Sequence, residues 1–370
     1  MRYAFWVSGA LLLYTFLGYP FWLYLSSRLR PHPVHRESIQ PEVSILMAVH
    51  NEAAALPAKL RNLQELDYPA GRLELVVVSD GSSDATNEIL RAWHGERRLA
   101  IIVPVNEGKA EALNRAVAAA QGDIVVFTDA RQSIDSDAVR FLVENFADSG
   151  VGCASGELLL DCAGEAMMAG LGFYWQYEKK IRQWESASGS VVGVTGALYA
   201  ARKKAVPTLP AGAILDDVFI PLLVAGRGQR VIFDGRAVSR DQLGGSRHEF
   251  WRKVRTLAGN YQLLQLAPWL LTASNPIRFR LISHKLLRLV VPFALLGILV
   301  SSIVLTSALY RVALAGEMAL GLCALLTAFR ARLGLISRLA QVCSTFLVLN
   351  AAAIVAFAYI ATGRRVAWTR

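Results

Sequence analysis

The residues here with the most chemical potential stand in four polar clusters, each closing a short apolar run. They are His50-Asn51-Glu52, Asp80-Gly81-Ser82-Ser83-Asp84, Asn106-Glu107-Gly108-Lys109 and Asp129-Ala130-Arg131. Asp80 can accept hydrogen bonds from a uracil or ribose edge. Asp129, closing Ile124-Val125-Val126-Phe127-Thr128, offers a carboxylate suited to a divalent ion that carries a diphosphate. Gly81 and Gly108 suit close backbone approach or a positive φ. Lys109, opening a helical stretch, opposes the helix dipole unless an anion sits there, and phosphate is the natural anion. Asp84 alone reads as a helix N-cap. Four such clusters together point to a binding site rather than to capping.

The elements that must position these clusters alternate. Runs rich in β-formers at residues 43–49, 73–79, 100–103 and 124–128 are separated by stretches at 52–65, 84–93 and 109–120 with apolar residues at helical spacing. That alternation predicts an α/β fold, a mostly parallel sheet with flanking helices. In such a sheet ligands bind beyond the carboxyl ends of the strands, where all four clusters fall.

In their order, these clusters resemble the inverting family-2 glycosyltransferases of the GT-A fold, from about residue 41 to residue 268. The resemblance implies that His50, Asn51, Glu52, Asp80, Gly81, Asn106, Gly108 and Lys109 hold a nucleotide-sugar, a UDP-sugar being the expected donor. It also implies that Asp129 helps hold Mg2+ or Mn2+. Val194-Thr195-Gly196-Ala197 is similar to the glycine turn beside the acceptor sugar, which assigns Thr195 and Gly196 to the acceptor. Leu215-Asp216-Asp217-Val218 resembles the segment whose last acidic residue is the catalytic base. By that match Asp217 takes the acceptor's proton, and Asp216 fills the preceding acidic position. The carboxylate pair also suits a helix N-terminus. An attacking alcohol must lose its proton, and a carboxylate can accept it.

Two departures bear on mechanism. Arg131 stands where the family's metal motif ends in a second acidic residue, so it faces the diphosphate as a cation. The Gln-x-x-Arg-Trp box of processive synthases is reduced to Glu249-Phe250-Trp251-Arg252-Lys253. Arg252 is expected on the leaving diphosphate and Trp251 at the acceptor; the missing Gln and Trp favour single addition, while a membrane layout similar to that of the synthases favours chain growth.

Of 370 residues 54% are hydrophobic, and a mean hydropathy of +0.36 is too apolar for an ordinary soluble enzyme. The apolar residues concentrate at the two ends of the chain. Residues 4–25 are long enough to span a bilayer and are longer than a signal-peptide core. They end in Pro20, Phe21, Trp22 and Tyr24, which fit an interfacial belt, so the segment reads as a retained anchor. Arg28, Arg30 and Arg36 follow it and only Arg2 precedes it, which places the next domain in the cytosol. Further spans are expected at 286–310, 312–329 and 339–360, about four transmembrane helices in all, with a re-entrant segment as the alternative for 312–329, the shortest and the one that contains Glu317. Arg330, Arg332 and Arg338 then fall inside, and the basic Arg364, Arg365 and Arg370 outside.

The expected organisation is therefore an anchor (1–27), a cytosolic catalytic domain (41–270), an interfacial segment (271–285), membrane helices (286–361) and a basic tail (362–370). Its setting is the inner (plasma) membrane. Stretches 167–185, 250–271 and 276–289 mix aromatic and basic residues, as helices in a headgroup plane do. Aromatic packing into the domain core is the alternative. His248 and His284 read as surface or interfacial residues there. The formal charge of +10 suits phosphates or acidic lipids. Nucleic acid is not expected, since no basic-aromatic stripe appears. Cys153, Cys162, Cys323 and Cys343 show no metal spacing.

The resemblance to bacterial polysaccharide synthases implies a polysaccharide or lipid-linked acceptor and partner proteins of a polysaccharide assembly system. The rival reading is a catalytically inactive nucleotide-sugar-binding scaffold of a secretion complex.

Overall fold

The computed structural model describes residues 1–161, 165–242, 246–329 and 335–363. Cys162, Arg330, Arg332, Arg364, Arg365 and Arg370 lie outside them, as does the side chain of His248.

Among the described residues eight strands form one sheet: β1 (Val43–Val49), β2 (Leu73–Asp80), β3 (Arg98–Val103), β4 (Ile124–Thr128), β5 (Ser133–Ile134), β6 (Val151–Asp161), β7 (Leu198–Arg202) and β8 (Arg230–Gln242), in the order β3-β2-β1-β4-β7-β6-β8-β5. The first four run parallel. Beyond β4 the sheet is mixed: β7 is antiparallel to both neighbours, and β6 and β8 pair parallel. β1 and β4 are almost wholly buried, as apolar strands covered on both faces must be. Helix Lys109–Ala119 covers one face through Ala112, Leu113 and Ala116, while Leu56–Gln64 and Ala138–Glu144 cover the other.

Among the described residues four helices are long and apolar enough to cross a membrane: Arg2–Leu29, Arg278–Val304, Ala308–Leu325 and Arg338–Ala361. The first joins the sheet through helix Glu165–Ala187. Tyr177 donates to the Phe16 carbonyl at 3.0 Å, Tyr19 donates to Glu185 Oε1 at 2.7 Å, and Tyr24 meets Trp184 edge to face. Helix packing, rather than lipid headgroups, therefore takes up Tyr177 and Trp184. Helix Ser246–Leu266 lies against the last span through Val254, Ala258, Ala352 and Ala356. His284 is a correction. It is buried, with Nδ1 2.8 Å from Glu185 and Nε2 3.2 Å from Glu178. Basic flanks made it read as interfacial, but its partners come from a helix a hundred residues earlier in the chain.

Candidate active site

The site begins where β1 and β2 end. Asn51 adopts a left-handed backbone (φ 54°), and its Oδ1 accepts from the backbone N–H groups of Ser83 (2.6 Å) and Asp84 (3.2 Å). It thereby ties the first cluster to the second. His50 donates from Nδ1 to the Asp80 carbonyl (2.6 Å), and its Nε2 accepts from Asn51 (3.1 Å). The Glu52 N–H donates to Thr86 Oγ1. Asp80 is buried, and its two oxygens accept from the N–H groups of Glu107 (2.7 Å) and Gly108 (2.8 Å). A nucleotide edge is the expected partner of this carboxylate. Here it first fixes the Asn106–Gly108 loop.

Gly81 turns the chain at φ +62°, so close to that loop that an added Cβ would stand 2.2 Å from the Asn106 nitrogen. Gly108 is also at positive φ, +98°, but nothing lies within 4 Å of its missing Cβ. Gly81→Ala therefore faces backbone strain of about 1–3 kcal/mol plus a clash that only loop movement relieves. Gly108→Ala faces the strain alone. Thermal unfolding together with nucleotide-sugar titration should show Gly81→Ala clearly the worse of the two. Equal effects would mean that the loops are not in contact.

Lys109 departs from the expectation drawn for it. Its ammonium does not wait at the helix start for an external anion. It bridges Asp129 (3.0 Å) and Asp216 (3.1 Å), the protein's own carboxylates. Burial works against its charge, but those two acids outweigh burial and hold its pKa above the ordinary lysine value. Asp216 is buried and takes a second bond from the Tyr199 hydroxyl at 3.2 Å. Tyr199 is itself fixed by stacking on Phe127 at 4.5 Å.

Asp217, one residue on, is only partly covered. Its side chain makes no hydrogen bond among the described residues. Burial, and then the neighbouring Asp216, push it up to about 6, against the pull of Lys109 and Lys285. Gly196 lies directly over it, since an added Cβ there would be 3.2 Å from Asp217 Oδ2. The Val194 N–H donates to the Asp217 carbonyl at 2.9 Å, holding turn and helix start together. Thr195 accepts from Arg182 at 2.7 Å. One carboxylate is thus locked and its neighbour open, facing a turn with no side chain in the way.

Asp129 is 39% exposed on its side chain, and Arg131 is exposed at the same mouth. Two expected contacts fall elsewhere. Arg252 is held by Glu249 of its own helix (2.7 and 3.1 Å). Trp251 packs edge to face with Phe250 and with Tyr359 of helix Leu335–Ala361.

Several residues were missed in the sequence. Lys59 is buried and donates to Thr128 Oγ1 (2.8 Å) and the Gln132 carbonyl (2.6 Å), straddling the Asp129 turn. Burial pushes its amine down to about 7, although Asp129 opposes this. Its signal was a lysine on the apolar face made by Leu56, Leu60 and Leu63. Arg255 lies within electrostatic reach of Asp216, Asp129 and Asp217, and burial lowers its pKa. It sits one helical turn after Arg252.

Residues 44–206 match the family model described as glycosyl transferase family 2. The chain is 27% identical over 245 residues to the probable glycosyltransferase YdaM of Bacillus subtilis (strain 168), covering 62% of this chain and 58% of that protein. It is 26% identical over 235 residues to the poly-beta-1,6-N-acetyl-D-glucosamine synthase of Staphylococcus aureus (strain COL), covering 60% and 55%. The chain therefore spans little more than half the length of the curated relatives it matches. Among solved structures it is similar to the mannosyltransferase PcManGT of Pyrobaculum calidifontis in complex with GDP-Man and Mn2+. That likeness has a TM-score of 0.76 at 23% identity and covers 98% of this chain and 100% of the other. The expected GT-A-like architecture is borne out by that match.

Proposed function

The chain carries a glycosyl transferase family 2 domain over residues 44–206, and from that premise we propose that it moves a sugar from a nucleotide-sugar to an acceptor at a membrane surface, with inversion. The observation that carries this reading is Asp217: an open carboxylate under the Thr195–Gly196 turn, beside an Asp216 fully engaged by Lys109 and Tyr199. The acceptor oxygen attacks the anomeric carbon, its proton passes to Asp217, and the bond to the diphosphate breaks. The nucleoside diphosphate leaves with the electron pair.

His50, Asn51, Asp80, Gly81, Asn106 and Gly108 frame the nucleotide end, with Arg131 beside the diphosphate. A divalent ion fits here in a limited way. Asp129 is accessible and acidic, but among the described residues no cluster of three or more His, Cys, Asp or Glu forms a cage. Mg2+ or Mn2+ would be held by Asp129 together with the donor's own phosphates, and would supply charge neutralisation at the leaving group. The four apolar helices among the described residues support a multi-pass membrane protein, and Arg28, Arg30 and Arg36 at and after the end of the first of them support a cytosolic catalytic domain. The engagement of Arg252 by Glu249 favours single addition over chain growth. An inactive scaffold has no use for an open Asp217 beside a locked Asp216.

The test is to incubate membranes containing the full chain with radiolabelled UDP- and GDP-sugars, with and without EDTA, and to identify the labelled product. One donor should yield a lipid or polysaccharide product, and EDTA should reduce its formation. Absence of both transfer and nucleotide-sugar hydrolysis across the panel would leave the scaffold reading standing. Turnover untouched by EDTA would remove the metal role of Asp129.

A further inference from the structure

Lys59 carries a charge into the interior, and among the described residues its hydrogen bonds go to neutral groups. It is 3% exposed, and its ammonium donates to Thr128 Oγ1 at 2.8 Å and to the Gln132 carbonyl at 2.6 Å. Asp129 attracts it through space and is itself bridged by Lys109. Burying an ammonium is costly, and the helix Leu56–Gln64 already packs through Leu56, Leu60 and Leu63. The two groups that Lys59 holds are the ends of the segment carrying Asp129 and Arg131. One helical turn on, Asn62 exchanges two hydrogen bonds of 2.8 Å with the backbone of Ile134. One face of one helix thus grips residues 128–134.

The grip continues to the acceptor side. The Thr128 hydroxyl accepts from Lys59 and donates to the Ala197 carbonyl at 2.9 Å. Ala197 follows Gly196, which lies over Asp217, and the Leu198 N–H closes the turn onto the Thr195 carbonyl at 3.0 Å. Just before its start the same helix is tied to the nucleotide end. The Glu52 N–H donates to Thr86 Oγ1 at 2.9 Å and the Ala53 N–H to Asp84 Oδ2 at 3.1 Å. A buried chain from Lys59 through Thr128 to Ala197 therefore joins the Asp129 turn to the turn that faces the base.

We propose that Lys59, acting through Thr128, is a positioning residue that sets the spacing between the donor-side turn at Asp129 and the acceptor-side turn at Thr195–Ala197. The inference rests on the transferase reading and adds a residue to its machinery. A single displacement needs donor and acceptor aligned, and a misplacement of about 1 Å can cost about a hundredfold in rate.

The test uses membranes containing the full chain and the UDP- or GDP-sugar that wild type turns over. Transfer rate and donor affinity are measured for Lys59→Met, Thr128→Val, Thr128→Ser and the Lys59→Met/Thr128→Val double variant. Thr128→Val keeps the shape of the side chain and removes only the hydroxyl. It and Lys59→Met should each slow transfer about tenfold to a hundredfold, with donor affinity changed by less than about threefold. Thr128→Ser keeps the hydroxyl and should keep most of the rate. The double variant should be no slower than the slower single, because residues that act as a unit are not additive. Losses that multiply in the double variant overturn the proposal, as does a Thr128→Ser as slow as Thr128→Val. A donor affinity that falls as far as the rate overturns it too, by assigning Lys59 to donor binding. Should Lys59→Met not fold, the two Thr128 variants decide alone. A wild type that turns over no donor removes the transferase reading and this inference with it; an active wild type with an equally active Thr128→Val removes this inference alone.

Discussion

Asp217→Asn should lower the transfer rate by about 10²–10⁴-fold, the usual worth of a general base. The amide keeps the size of the side chain and removes only the proton acceptor. The acid makes no hydrogen bond among the described residues, so the substitution should not disturb the fold. Nucleotide-sugar affinity should change by less than about twofold, since the donor is framed by other loops.

The pH profile supplies the second half of this expectation. Burial and Asp216 hold Asp217 near 6. A base works only when ionised, so wild-type transfer should rise with pH through about 6 and level off above it. In Asp217→Asn the residual rate should lack that rise. Asp216→Asn should be milder in rate and more damaging to stability, because Asp216 joins Lys109 and Tyr199. Kinetics and binding on both variants in the same membranes decide the matter. If Asp216→Asn suffers the larger rate loss, the base is Asp216.

Lys109→Met should be the most damaging substitution outside the acidic pair. The ammonium is 20% exposed and sits between Asp129 and the almost buried Asp216. Removing one partner of a buried ion pair costs about 3–5 kcal/mol, and the partial exposure of this pair brings the expected loss to about 2–3 kcal/mol. Lys109 also draws the Asp217 pKa down. Without it the rate-controlling ionisation should move above 6, so the variant should lose activity most at neutral and acid pH. Thermal unfolding and a pH–rate profile measure the two effects. Wild-type stability with an unmoved pH limb would show that Lys109 is a solvated surface charge.

The sequence made the sheet edge readable because each strand there is short, apolar and closed by a polar cluster. Val43–Val49 and Ile124–Thr128 appear with the bounds their composition implies. The carboxylate pair was readable as well, since acids at a helix start stand out beside an apolar helix. What could not be read is which charges meet. Lys109 reaches Asp216 across more than a hundred residues of chain, and no local pattern announces that bridge. His284 and Lys285 flank a membrane run and so look interfacial, yet the turn of their helix sends them inward to Glu178, Glu185 and the Gly193 turn. Trp251 is read into a motif through its neighbour Arg252, and no local pattern announces its packing on Tyr359. Sequence spacing fixes the face of a helix; the partner on that face comes from tertiary packing.

The stereochemistry of the product tests the single displacement most directly. Once the donor is identified, NMR of the newly formed linkage gives its anomeric configuration. An acceptor hydroxyl deprotonated by Asp217 and attacking opposite the diphosphate must give the configuration opposite to that of the donor. A product that keeps the donor's configuration would contradict the mechanism and require a different role for Asp217.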